Sequence, residues 1–134
     1  MTDGPSSDRR RGDRAPSSRA SAGRTGEDVA AAFLEAEGWT IARRNFRWRG
    51  GEIDIAAVRD GVIAFVEVKA WERLGPEELD RAIGPEKRRK IIETAKIFLS
   101  RYREYSSCAV RFDVILVRAG EVRQCYHSAF TGEL

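Results

Sequence analysis

Histidine and cysteine are scarce, and each scarcity narrows what the chain can do. The single histidine among 134 residues, His127, leaves zinc catalysis and Ser-His-Asp chemistry little material to work with. The two cysteines, Cys108 and Cys125, lack the close pairing of a zinc knuckle or redox motif, and two do not make a disulfide scaffold. They read as reduced packing residues of a cytoplasmic protein, with a bridge between neighbouring strands left open. No stretch approaches the roughly twenty apolar residues of a membrane helix, and no apolar segment follows the charged N-terminus. Neither secretion nor a membrane partner is expected.

Hydrophobic residues make up 42% of the chain and charged residues 34%, the balance of a soluble globular protein. The length suits one domain with one core. Formal net charge is +3, but the first 22 residues contribute five arginines against three aspartates, leaving +1 for the rest. Net charge is therefore a weak argument for nucleic acid, and the placement of the charges matters more.

Residues 1–22 are Ser, Arg, Asp, Gly, Ala and Pro with Met1 as the only large apolar residue, which predicts a disordered tail. The domain is expected over 23–134. A first helix is predicted over 25–37 from Val29, Ala32, Phe33 and Ala36, with Thr25 as its cap, Glu27 in its first turn and Gly38 as its stop. Three strands follow, Trp39 to Phe46, Glu52 to Val58 and Val62 to Lys69, separated by Gly50-Gly51 and by an Asp60-Gly61 turn signal. In the second strand Ile53 and Ile55 should face one way and Glu52, Asp54 and Ala56 the other. In the third, Ile63, Phe65, Glu67 and Lys69 share a face, and the opposite face is also apolar, as in a central strand covered on both sides.

Gly75 to Gly84 reads as a loop with short helical potential. From Pro85 to Tyr102 a second helix carries Ile91, Ile92, Ala95, Phe98 and Leu99 on its inner stripe. Strands over Val110 to Val117 and Glu121 to Tyr126 complete an αβββαββ order, a mixed sheet flanked by helices.

If the second and third strands pair as a hairpin, Asp54, Glu67 and Lys69 converge. Two converging carboxylates repel, and they persist in a partly buried site most readily when a divalent cation or the lysine neutralises them. Hard oxygen ligands from one or two carboxylates plus waters suit magnesium, and phosphodiester hydrolysis is the reaction such sites commonly serve. Asp54 and Glu67 would hold the metal and orient a water; Lys69 would polarise that water or stabilise charge on the phosphate.

These residues resemble the PD-(D/E)XK nuclease superfamily and, within it, the YraN-like bacterial proteins. The resemblance covers about 24–118: Gly26-Glu27, Arg44-Asn45-Phe46-Arg47, Gly51 to Ile55, Phe65 to Lys69, Lys87 and Arg111 to Val114. It implies a three-layer, restriction endonuclease-like core and a site formed by Asp54, Glu67 and Lys69 with Glu27 from the first helix, Glu27 joining Asp54 and Glu67 on a magnesium or manganese ion. The chain departs from the pattern in two places. Ile53 stands where the superfamily has proline, as is usual in this branch, and Ala70-Trp71 stand where Thr-Arg is expected, which removes a phosphate contact. YraN-like proteins have no established activity.

Lys87 to Lys90, with Arg43, Arg44, Arg47 and Arg49 around Trp48, form the basic material for a phosphate backbone; Arg44, Arg47, Lys87 and Arg88 are the expected contacts. Trp48 is weighed as a base-stacking platform, Glu52 as a solvated rim residue, and Glu27 alternatively as a partner of the helix dipole. Asp113 is expected to pair with Arg111 or a helix cation in a structural role, and Cys108, Cys125 and His127 to be packing or surface residues. The function expected is metal-dependent hydrolysis of DNA, including branched or damaged DNA, with DNA favoured over RNA and a homodimer among the assemblies compatible with cutting two strands. The rivals are a non-catalytic nucleic-acid-binding module that recruits another enzyme, and a structural protein whose acid-lysine cluster is an internal salt bridge.

Overall fold

Short alternating segments punctuated by glycine fold into a five-stranded sheet. In the computed structural model, which describes residues 18–70 and 83–130, the strands are β1 (Thr40–Trp48), β2 (Gly51–Arg59), β3 (Val62–Ala70), β4 (Ala109–Arg118) and β5 (Glu121–Phe130). They lie in the order β1-β2-β3-β4-β5, antiparallel throughout except for the parallel pair β3 and β4. A parallel pair needs a crossover, and the chain makes it through a helix, α2 (Pro85–Arg101). The other α-helix among the described residues, α1 (Ser18–Ala36), precedes the sheet, and a short 3-10 turn (Arg103–Tyr105) follows α2. Residues 1–17 of the tail expected over 1–22, and 75–82 of the loop expected over Gly75 to Gly84, lie outside the described residues.

The two helices cover opposite faces. Ala30, Ala31 and Leu34 of α1 pack with Ile55, Ala57, Ala64 and Val66. Ile91, Ala95 and Phe98 of α2 pack with Phe46, Ile63, Phe65 and Phe112, where ring centroids lie 5.2–5.9 Å apart. The result is a helix-sheet-helix sandwich with β3 third of five strands and buried on both sides, as its doubly apolar pattern predicts.

Three local expectations are corrected. The first helix begins at Ser18, inside the segment expected to be a tail, so Thr25 is an interior residue and Glu27 stands in the third turn. Its buried stripe is Ala30, Ala31 and Leu34, with Val29 and Phe33 only partly covered. The small alanines let the helix lie close to the sheet. Gly38 does end it, at a φ of 96° that a side chain would resist, while the N–H groups of Glu37, Gly38 and Trp39 bond back to the last carbonyls. Ile53 and Ile55 do not share a face. Ile53 joins the α2-side core and Ile55 the α1-side core, because the alternation slips at Asp54, where β2 stops pairing with β3. Finally, β5 runs to Phe130 rather than Tyr126, with Phe130 stacked on Phe112 at 5.0 Å.

Close packing of β2 on α2 depends on one missing side chain. Thr94, fully buried, gives its hydroxyl proton to the Lys90 carbonyl at 2.7 Å and accepts the Trp48 indole N–H at 2.8 Å. A Cβ on Gly51 would sit 2.6 Å from that same oxygen. Gly51→Ala is therefore expected to lower unfolding free energy by about 1–3 kcal/mol through overpacking, read as a drop in melting temperature, with α2 forced from the sheet. An unchanged melting temperature would show that the seam has slack.

Candidate functional site at the β2–β3 fork

The pairing of β2 with β3 runs from Arg59–Val62 to Ile55–Val66 and then ends. Beyond it the two strands part, and the Val68 N–H has lost the carbonyl an ongoing ladder would supply. The Asp54 carboxylate takes that place, with Oδ2 accepting from Val68 N at 2.8 Å. The fork thus turns a carboxylate into part of the sheet.

On the α2 side of the fork, Glu67 continues the face of Ile63 and Phe65 and is only 7% exposed. Lys69, two residues on and so on the same face, reaches Glu67 Oε2 at 3.4 Å. Lys87, from the first turn of α2, reaches the same oxygen at 3.5 Å. On the α1 side Glu27 accepts from Asn45 Nδ2 at 3.0 Å and from Arg44 Nη2 at 3.4 Å. Asn45 has a φ of 56°, a left-handed conformation that asparagine tolerates better than most residues. No dipole role remains for Glu27, since nine residues of helix precede it.

Electrostatics single out Asp54. Burial, reinforced by the nearby charge of Glu67, pushes its carboxyl up to about 6, against the lowering effect of the Val68 N–H. Glu27 is shifted upward as well, by burial and by Asp54, with Arg44 and Asn45 opposing. Asp54 is thus within electrostatic reach of both other acids, raised by Glu67 and itself raising Glu27. Among the described residues no three His, Cys, Asp or Glu side chains stand close enough together to form a metal cage. A magnesium-type ion does not need one, because one or two carboxylates and several waters commonly hold it. The donor set of Asp54 and Glu67, all hard oxygen, fits that requirement.

Next to Lys87 opens a cleft of about 360 Å³ lined by Arg47, Trp48, Arg49, Glu52, Lys87 and Lys90. Of the four expected nucleic-acid contacts, Arg47 and Lys87 line it. Arg44 does not: it turns to α1, 2.8 Å from Asp28 Oδ1 and 3.4 Å from Glu27. Arg88 also stands apart, its Nε donating to the Ile83 carbonyl at 2.7 Å and its guanidinium lying over Phe130. Glu52 is an exposed rim residue paired with Arg47 at 3.1 Å. The Trp48 ring is held by Thr94 and lies where a Cβ on Gly50 would fall, 2.3 Å away. Asn45, Thr94 and Lys90 complete the surroundings; Asn45 and Lys90 had a sequence signal, in the Arg44-Asn45-Phe46-Arg47 segment and the Lys87 to Lys90 run, and Thr94 had none.

Comparison with known proteins agrees with this span of motifs. Residues 26–117 match the family described as "Uncharacterised protein family UPF0102". This chain belongs to UPF0102. Every segment from Gly26-Glu27 to Arg111–Val114 lies inside the match. The UPF0102 chain is 46% identical over 99 residues to a UPF0102 protein of Granulibacter bethesdensis, covering 73% of this chain and 61% of that one. It is 43% identical over 102 residues to one of Treponema pallidum (76% and 81% covered) and 44% identical over 98 residues to one of Prosthecochloris aestuarii (72% and 76% covered). Among its described residues no helix is long and apolar enough to cross a membrane.

A second buried acid shows the contrast. Asp113, 1% exposed, receives Arg111 through Nε at 3.0 Å and Nη2 at 2.8 Å, the Ser128 N–H at 2.9 Å, and His127 Nδ1 at 3.3 Å. It is fully partnered and ties β4 to β5, as its expected pairing with Arg111 implies. Both cysteines are free, and burial pushes the Cys125 thiol up to about 11, so it stays protonated and inert at neutral pH.

The raised Asp54 pKa has a defined effect on stability. The native state holds the proton up to about pH 6, whereas the unfolded chain loses it near 3.8. Between those values the native state binds more protons, so this group's contribution to stability falls as pH rises. Asp54→Asn keeps an acceptor for the Val68 N–H and removes the charge. The variant is expected to be more stable than the parent at pH 7 by about 1–3 kcal/mol, with the gap closing below about pH 4. Denaturant titrations across pH check it; a variant less stable at pH 7 would remove the strained-carboxylate account.

Proposed function

We propose that this protein is a metal-dependent phosphodiesterase of the PD-(D/E)XK nuclease type that cleaves DNA in the cytoplasm. The observation that carries the reading is the convergence of Asp54, Glu67 and Lys69 at a fork in the sheet, with a basic cleft opening beside it. A structural salt bridge satisfies its charges, as Asp113 does. Here burial and a second carboxylate raise the pKa of Asp54, the pattern of a site arranged for a ligand or reaction. The helix-sheet-helix architecture and the motif segments in order along the chain support the restriction endonuclease-like assignment.

Asp54 and Glu67, with Glu27 behind them, would hold a divalent cation, magnesium or manganese. When bound, such an ion supplies Lewis-acid stabilisation of charge on a phosphoryl oxygen and lowers the pKa of a water. The rest of the chemistry belongs to the chain. Asp54 is oriented by the Val68 N–H and Glu27 by Asn45 and Arg44, so both carboxylates are set before substrate arrives. Lys69 places its ammonium beside Glu67, where it can exchange that partner for a phosphate oxygen or an attacking water. Arg47 and Lys87 receive the flanking phosphates.

One observation favours a second reading, a binding module without turnover. Glu67 is already met by two lysines and Glu27 by Arg44 and Asn45, which leaves little uncompensated negative charge for a cation.

The two separate in one experiment. Labelled single-stranded, duplex, nicked, flapped and four-way DNA are incubated with magnesium or manganese, comparing the parent with Asp54→Asn and Lys69→Ala. The nuclease reading expects metal-dependent products that fall by at least about a hundredfold in both variants, while DNA binding persists. Binding with no product from the parent under either metal would establish the module instead.

A further inference from the structure

The basic cleft continues along the outside of the molecule. Strand β1 and helix α2 lie side by side in opposite directions: Trp48 bonds Thr94, Phe46 packs on Phe98, and Arg43 covers Tyr102, while Gly51 at the start of β2 abuts the Lys90 carbonyl. Along this seam four exposed cations, Arg49, Lys90, Arg101 and Arg43, follow one another from the cleft to the far end of the helix. Among the described residues none of the four has a carboxylate partner. Off the seam, the exposed cations of α2 are paired, Arg89 with Glu86 and Lys96 with Glu93, each one helical turn apart. On α2, exposed charge without a carboxylate partner thus lies along the seam. From Lys87 to Arg101 the helix rises about 21 Å, the length of about six nucleotides of one B-form strand.

The aromatic rings along the seam are not open for stacking. The Arg43 guanidinium lies 5.2 Å above Tyr102, Arg101 lies 5.6 Å above Phe46, and Trp48 is fixed by Thr94. A row of cations resting on covered rings meets phosphates, not base faces.

We propose that the β1–α2 seam is a sequence-independent track for the phosphate backbone of one DNA strand, leading into the cleft beside the fork. The proposal rests on the nucleic-acid reading above and assigns Arg43 and Arg101 as binding residues. Each cation that meets a phosphate displaces a counterion, so the track makes affinity depend on salt and on strand length.

The test is fluorescence anisotropy with labelled oligothymidylates of four and twelve residues over a salt series. It compares the parent with Arg43→Gln/Arg101→Gln in the seam and Arg49→Gln/Lys90→Gln at the cleft, all checked for folding by thermal melts. Glutamine keeps much of the stem over the ring and removes the charge. The seam variant should bind the twelve-residue strand roughly tenfold more weakly at about 50 mM salt, with the salt slope reduced by about 1.4, and the four-residue strand as the parent does. Replacing the thymines by abasic sites should leave the parent's affinity within about twofold if phosphates carry the binding. Unchanged affinity and slope in the seam variant, with weakened binding in the cleft variant, would overturn the track and spare the nucleic-acid reading. Failure of the parent to bind either strand would overturn both.

Discussion

The carboxylate of Asp54 in the place of a sheet carbonyl is the contact on which this structure turns. Antiparallel strands that separate leave a backbone N–H without a partner, and a buried N–H without a partner costs more than most single contacts contribute. By accepting from Val68, Asp54 lets β2 and β3 diverge. Glu27 stands near Asp54 on the α1 side, bonded to Arg44 and Asn45, and Glu67 and Lys69 face α2 beside Lys87. One hydrogen bond therefore joins the strand divergence to the carboxylate cluster. The same burial that strengthens it raises the cost of ionising Asp54, with Glu67 nearby adding to that cost.

Two aspartates in one small sheet, Asp54 half-buried and Asp113 fully buried, behave differently because their neighbours differ. Asp113 meets a guanidinium held in two-point contact and a backbone N–H, so its charge is compensated where it sits. Arg111 in turn lies on the ring of Trp39, as does the guanidinium of Arg59. That assembly fastens the edge strand. Asp54 has a single N–H and the electrostatic pressure of Glu67, which a cation or a proton relieves. Burial alone does not set the balance of charge around an acid, whereas the count of compensating partners does.

Arginine and lysine show the same division. Arg44, Arg111 and Lys96 are spent on nearby carboxylates, while Arg43, Arg49, Lys90 and Arg101 face outward along one seam. The near-neutral net charge conceals this order. A patch made of unpaired cations acts on a polyanion within the screening length, whatever the total of the whole chain.

The amino-acid sequence by itself determined the strands, their turns and the candidates. Alternation put Glu67 and Lys69 on one face, the doubly apolar β3 had to be internal, and the motif segments marked Asp54, Glu67, Lys69 and Glu27. These are local properties, set by a period of two or by residues adjacent in the chain. Only the tertiary structure decided where the side chains were used. It gave Arg44 to Glu27 and Asp28 instead of the cleft, moved Glu27 out of the first turn by extending α1 back to Ser18, put Ile53 and Ile55 on opposite faces, and buried Thr94 as the anchor of Trp48. Each of these outcomes depends on strand register, an irregularity in pairing or a contact between distant segments. Such terms act only after the chain has folded on itself, so no local pattern encodes them.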